Sequence, residues 1–261
     1  MRKYLMYIFL LVAFCSFGQS EFYQASYQQA NQYDIPTANL IHYWRFDGNG
    51  TDDEGSLTAT AQGDAVFTGT GQNGDALSLD GTGDYASTGN PTTFGDNTTD
   101  SACSISLSVY HDAYTSPYSM LVDQTEGGYE FYIRVSSSGI VSVRLFSQGS
   151  SANYLQITGT TALGTAQWRH IILTYDGTGN ASGLTLYLDG VDDTDTTSEN
   201  GTYVAMREDA TALNFGSWVR FTTYYLDGLM EMVGIWDVEL TSSQASDLYN
   251  KEITDSTYAN D

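Results

Sequence analysis

From Leu40 to about Asp237 the chain is a succession of short segments in which apolar and polar residues alternate. They are separated by Gly-containing turns: Asp47-Gly48, Asn73-Gly74, Asp80-Gly81, Asp176-Gly177, Asp189-Gly190 and Asp227-Gly228. A period of two sends successive side chains to opposite faces of a strand, and Asx-Gly pairs supply the positive φ angles that tight hairpin turns need. This pattern specifies an all-β chain built as a sandwich or barrel, and 26 Gly and 20 Tyr against 3 Pro point the same way. No internal repeat breaks it.

The alternation assigns faces. Cys103, Ile105, Leu107 and Val109 share one side of a strand and Ser104, Ser106, Ser108 and Tyr110 the other, so one side is expected in the core. Leu184, Leu186 and Leu188 repeat the pattern. Residues 129–135 and 140–146 flank a Ser-Ser-Ser-Gly turn and are expected to form a hairpin, with Phe131, Ile133, Val141, Val143 and Leu145 buried. Two registers keep that face: Glu130 opposite Arg144, or Tyr132 opposite Arg144. In both, Glu130, Tyr132, Arg134, Ser142, Arg144 and Phe146 point outward. Near the end, Thr241 and Gln244 make a capping box ahead of the stripe Ala245, Leu248 and Tyr249. One or two helical turns are expected there, followed by a frayed polar tail.

Arg2 and Lys3 precede an apolar run, Tyr4 to Phe17, which reads as a cleaved secretory signal over residues 1–18. The run is too short for the roughly 20 apolar residues of a bilayer span. Residues 19–38 read as a flexible tether, 39–250 as the domain and 251–261 as a polar tail. With the signal removed, no other segment is long or apolar enough to cross a membrane. Nine Lys+Arg against 32 Asp+Glu give a net charge of -23, and losing Arg2 and Lys3 makes it 7 minus 32, or -25. Such a balance excludes nucleic acid and anionic lipid as electrostatic partners. Phe14 before Cys15 argues against a lipidation site, and Cys103 is then alone, a small buried hydrophobe in a chain without an internal disulfide.

Four segments in order resemble laminin-G-like, concanavalin A-like jelly-roll domains: residues 42–55 (HYWRFDGNGTDDEG), 74–88 (GDALSLDGTGDYAST), 168–190 (WRHIILTYDGTGNASGLTLYLDG) and 225–249 (YLDGLMEMVGIWDVELTSSQASDLY). The resemblance implies a two-sheet antiparallel sandwich with one short C-terminal helix. It implies no single function. Relatives of this fold often carry one structural calcium ion, and Glu231 occupies the position where the family usually has Asp. On that resemblance, Asp47, Asp80 and Glu231 are the candidate ligands; the alternative is that these acids cap turns by accepting backbone amides.

Glycoside hydrolases need two carboxylates at a set separation, which in the family-16 type of this fold project from a single strand as Glu-x-Asp-x-(x)-Glu. That spacing is missing, as is a Gly-x-Ser-x-Gly elbow. Three scattered histidines and one cysteine show no zinc spacing. His42 and His170 are expected to be packed and hydrogen-bonded, and His111, at a strand end, solvated. The acidic runs Asp52-Asp53-Glu54 and Asp192-Asp193-Asp195 are expected on solvated loops. For ligand binding, aromatic platforms beside planar hydrogen-bonding groups suit sugars, which makes Glu130, Tyr132, Arg134 and Arg144 the candidate ligand-binding residues. The alternative for them is a surface ion pair beside an ordinary Tyr. Trp218, Arg220, Tyr224 and Tyr225 form a second candidate.

The sequence thus points to a secreted or cell-surface, non-catalytic module that binds carbohydrate or another extracellular ligand, with a calcium ion stabilising its loops. A structural or adhesive component that binds protein partners is the competing class, and a glycoside hydrolase the third.

Overall fold

The structure, a computed structural model, describes residues 36–254 except 92, 93, 116, 149 and 210. The expected signal, most of the tether and the tail beyond residue 254 lie outside the described residues. In chain order the strands are β1 (Leu40–Trp44), β2 (Thr60–Gln62), β3 (Val66–Thr70), β4 (Asp75–Asp80), β5 (Tyr85–Ser87) and β6 (Cys103–Ala113). They continue as β7 (Tyr118–Gln124), β8 (Phe131–Ser136), β9 (Val141–Phe146), β10 (Tyr154–Gly159) and β11 (Trp168–Tyr175). The last are β12 (Leu184–Leu188), β13 (Val191–Asp192), β14 (Thr194–Asn200), β15 (Asn214–Phe215) and β16 (Asp227–Trp236), before helix α1 (Ser242–Thr254).

Among the described residues these strands form two antiparallel eight-stranded sheets packed as a sandwich. The first runs β13-β12-β11-β6-β16-β4-β3, with β1 also paired to β16; the second runs β14-β10-β9-β8-β7-β15-β5-β2. The core between them includes the residues that alternation marked, Cys103, Ile105, Leu107 and Val109 of β6, Phe131 and Ile133 of β8, and Val141, Val143 and Leu145 of β9, joined by Val135. Burying each such aliphatic or aromatic side chain stabilises by about 1.5–3 kcal/mol. No described helix is long and apolar enough to cross a membrane.

The polar side of β6 is buried as well, contrary to the one-sided expectation. Serine is small enough for the chain after β16 to press onto it: Ser104 donates its hydroxyl to the Val238 carbonyl at 2.9 Å and accepts the Leu240 N–H at 2.8 Å. Helix α1 then caps this face. Its capping box forms, with the Thr241 N–H donating to Gln244 Oε1 at 2.9 Å and the Gln244 N–H to Thr241 Oγ1 at 3.3 Å. At 13 residues it outruns the expected one or two turns and absorbs the start of the supposed polar tail. The reason lies outside the helix: Tyr43 donates its hydroxyl to Glu252 at 3.0 Å, and His170 Nε2 meets the same carboxylate at 2.8 Å.

The other histidines divide. His42 is packed and bonded to Asp52 at 2.7 Å, as expected. His111, expected in solvent, is buried against Tyr114, and desolvation lowers its pKa to about 4. Two acids expected on solvated loops are also inside. Asp52 accepts the N–H groups of Tyr43, Gly55 and Leu57, and Asp193 those of Thr160 and Thr161. Both build turns.

Candidate functional site

The β8–β9 hairpin adopts the register that places Tyr132 opposite Arg144. A bulge in β7 between Met120 and Val122 lets Met120 and Asp123 face the same side, opposite Arg134 and Tyr132. The outer face of the second sheet therefore gathers Met120, Asp123, Glu130, Tyr132, Arg134 and Arg144. It was expected to be open, but it is largely covered. Tyr132 and Glu130 are 1% exposed and Arg134 9%, while Arg144 is half-buried.

The cover is the excursion from Gly216 to Leu226, which leaves β15 and folds back over β7. The Gly216 N–H donates to the Leu121 carbonyl at 2.9 Å and the Met120 N–H to the Tyr224 carbonyl at 2.8 Å. Gly216 sits at φ 88, and a Cβ there would meet Leu79 Cδ1 at 2.3 Å, so only glycine fits. Thr222 and Tyr224 hold φ 47 and 60, a costly conformation for residues with side chains. A hydrogen-bond chain orients the large ring: Trp218 Nε1–H donates to Thr125 Oγ1 at 2.7 Å, and Thr125 donates to Asp123 Oδ1 at 2.6 Å. Trp218 lies 5.8 Å from Tyr132 and 5.4 Å from Tyr224. The two candidate groups chosen from the sequence thus lie together on one face.

Met120, Tyr132 and Phe146 form an apolar cluster separate from the main core, with Tyr129, Tyr154, Trp218 and Tyr224 half-buried against it. Arg134 lies 3.7 Å above the ring of Tyr118 and 4.8 Å from that of Tyr132, and its Nε–H donates to Ser142. Arg144 lies 4.0 Å above Tyr154 and donates Nε–H to Gln156 at 2.6 Å. Cation–π contacts of this kind are worth about 0.5–2 kcal/mol. Arg220 covers Tyr129 at 4.6 Å but spends its Nη1 on the carbonyls of Thr125 and Glu126. The carbonyl of Tyr225 accepts the Thr115 hydroxyl at the edge of the excursion. Tyr118, Tyr129 and Tyr154 were not singled out from the sequence. Only the alternation Tyr154, Gln156, Thr158 hinted at one of them, and placing it required the β9–β10 register.

Four polar side-chain atoms buried around this face have no hydrogen-bond partner among the described residues: Tyr132 Oη, Asp123 Oδ2, Asn214 Oδ1 and Ser217 Oγ. Burial raises the Tyr132 phenol to about 12 and the Asp123 carboxyl to about 7. Glu130, raised by burial to about 8, is drawn aside by the neighbouring loop and accepts the Asp209 N–H at 2.9 Å and the Thr211 hydroxyl at 3.2 Å. It makes no ion pair with Arg144.

The three acids considered for calcium do not converge. Asp47 accepts the Asp75 N–H at 2.9 Å, beside the start of β4, and Glu231 accepts the Gln72 N–H at 3.0 Å in the same turn region. Asp80 stands at the far end of β4, opposite Asp227. Five residues of strand, about 3.3 Å each, separate the two ends. Glu231 is buried, its carboxyl raised to about 7 by desolvation. Instead Asp80 joins Asp64 and Asp84, whose ligand oxygens all lie within 4.8 Å of one another. Burial, with the charges of Asp80 and Asp64, raises the Asp84 carboxyl above its ordinary range. Three convergent carboxylates are a donor set that fits a hard cation.

Residues 80–246 match the sequence profile of a family described as the concanavalin A-like lectin/glucanases superfamily (Laminin_G_3). No curated protein matches the chain. Among solved structures, domain 4 of AbnA, a GH43 extracellular arabinanase from Geobacillus stearothermophilus in complex with arabinotriose, superposes with TM-score 0.55 at 19% identity, over 81% of this chain and 98% of that one. The binding domain of Paraclostridial Mosquitocidal Protein 1 gives 0.63 at 14% identity, over 84% of this chain and 53% of its own. The ligand-binding domain of botulinum neurotoxin serotype D, in complex with N-acetylneuraminic acid, gives 0.60 at 14%, over 82% and 51%. The chain spans about half the length of these toxin domains. At such identities the likeness is one of fold.

Proposed function

The chain belongs to the concanavalin A-like lectin/glucanase superfamily, and on that premise we propose that it is an exported, non-catalytic carbohydrate-binding module whose site is the outer face of the second sheet. One observation carries the reading: a second aromatic cluster, outside the core, whose rings of Tyr129, Tyr154, Trp218 and Tyr224 stay half-exposed beside two arginines. Pyranose C–H faces stack on such rings while hydroxyls bond the planar groups around them. The saccharide complexes of two fold relatives, with arabinotriose and N-acetylneuraminic acid, support it as analogy.

Catalysis by the two acidic side chains of this face is disfavoured by their burial. Asp123 is 0% and Glu130 1% exposed, and Glu130 is committed to Asp209 and Thr211, so this pair does not present two carboxylates across an open cleft. Export rests on the signal read at residues 1–18. For the expected calcium ion, Asp64, Asp80 and Asp84 are the residues that would hold it, and a higher melting temperature in calcium than in chelator, lost in Asp84→Asn, is its test.

The reading is tested by glycan-array binding of the purified chain, repeated with Trp218→Ala and Tyr154→Ala. Binding to a saccharide that weakens about tenfold or more on ring removal supports it. No glycan bound, or binding indifferent to both rings, overturns it.

A further inference from the structure

The basic residues of this acidic chain are not distributed alike. Arg45, Arg169 and Arg207 each pair with an aspartate, Asp53, Asp189 and Asp209 respectively. Arg134 and Arg144 have no carboxylate within ion-pair distance among the described residues, although the chain holds 32 acids. They are diagonal neighbours on adjacent strands, Arg144 opposite Tyr132 and Arg134 two residues beyond it on β8, where side chains stand about 7–8 Å apart. Towards β9, β10 and β14 the positions that share their face are neutral, Ser142, Gln156, Thr158, Thr196 and Ser198. The two acids of the face, Asp123 and Glu130, lie on the β7 side and at the start of β8, bonded to Thr125 and to Asp209 and Thr211, and neither forms an ion pair with these arginines.

Each guanidinium is fixed on its Nε side, by Ser142 or by Gln156, and lies over a tyrosine ring. The Nη ends of both have no hydrogen-bond partner among the described residues. Two like charges held near each other, one of them 9% exposed, are unfavourable in the free protein. Desolvation, with the charge of Arg144, lowers the pKa of Arg134, which records that tension. An anion placed between the two arginines removes it. The planar Nη forks match a planar carboxylate through paired N–H···O bonds, and the half-exposed rings beside them favour a sugar over a peptide as the carrier.

We propose that the saccharide recognised on this face is acidic, a uronate whose carboxylate is held by the Nη groups of Arg134 and Arg144. This rests on the carbohydrate-binding reading and narrows it.

The test titrates the full chain with polygalacturonate, with the same polymer fully methyl-esterified, with neutral arabinan, with a sulfated polysaccharide and with poly-glutamate. Binding to polygalacturonate is expected, about tenfold or more weaker for the ester, and weakening as salt rises. Arg144→Gln is expected to lower the affinity by a similar factor at an unchanged melting temperature. Arg134→Lys, which keeps the charge but not the fork, serves for the buried position and is expected to weaken binding too. Equal affinity for polymer and ester, a preference for arabinan, or Arg144→Gln binding like wild type overturns the acidic ligand and leaves the carbohydrate reading standing. A preference for the sulfated polymer overturns the carboxylate, poly-glutamate bound in place of sugars overturns the saccharide, and no binding to any polymer overturns both readings.

Discussion

The outer faces of the two sheets start from the same alternation and end differently. On the first sheet, helix α1 closes the face and brings acid to base: Glu252 reaches His170 and Tyr43, while His42 is bonded to Asp52 nearby. On the second, a loop closes the face only in part. Buried polar atoms without a hydrogen-bond partner occur on both faces, Ser106 Oγ, Ser108 Oγ and Thr174 Oγ1 on the first as well as four on the second. The contrast is one of charge: Arg134 and Arg144 rest on rings, a hydroxyl and an amide, with no carboxylate at ion-pair distance among the described residues. A buried base met by an acid of its own chain has its partner within the fold. Two arginines left without one cost stability and are fitted to receive an anion from outside.

The largest effect that sharpens this contrast is expected from pH. Burial raises Glu130 to about 8 and Asp123 to about 7 on the second face, and Glu231 to about 7 on the first. Raised carboxyls keep their protons in the fold after the unfolded chain has released them. The stability these three groups contribute is therefore full below about pH 4 and falls as pH rises towards 7–8, by up to about 1.4 kcal/mol per pH unit for each group. Urea unfolding between pH 5 and 8 measures the slope. Glu130→Gln and Asp123→Asn are expected to flatten it, and an unchanged slope would show these acids ionised in the fold.

Next in size is Glu252→Ala, which removes one partner of the buried contacts to His170 and Tyr43. A loss of about 3 kcal/mol in urea unfolding is expected, with saccharide affinity unchanged. A loss below 0.5 kcal/mol would remove the distinction between the faces. Tyr132→Phe deletes a buried hydroxyl without a partner, and should leave stability unchanged or raise it by up to about 1 kcal/mol while weakening ligand binding. The smallest change in stability is expected for Arg144→Gln, within about 0.5 kcal/mol. A clear gain in stability there would mean that the repulsion between the two arginines outweighs their contacts with the rings.

Much of this fold was legible in the sequence, and the reasons are local. Phe131, Ile133, Val141, Val143 and Leu145 face the core because alternation along a strand is a property of the backbone. The capping box at Thr241 and Gln244 forms because its partners are three residues apart. The candidate site was half legible. Tyr132, Arg134 and Arg144 share a face as read, but two registers fitted the pattern, and choosing one turned Glu130 from a partner of Arg144 into a ligand of the 209–211 loop. Asp80, grouped with Asp47 and Glu231 by resemblance, lies instead with Asp64 and Asp84. His111 looked exposed because it stands at a strand end, and its neighbour Tyr114 turns over it only where its hydroxyl reaches the distant Gly164 carbonyl.

What the sequence alone determined is which side of each strand is apolar, where the chain turns, and that an acidic chain keeps few bases. Only the tertiary structure decided which polar faces are closed and which of those bases stay unpaired. Covering a face depends on segments far along the chain: residue 252 reaches back to 43 and 170, and residue 218 to 125 and 132. Periodicity records the direction in which a side chain leaves the backbone, while its partner is set by packing across the whole molecule.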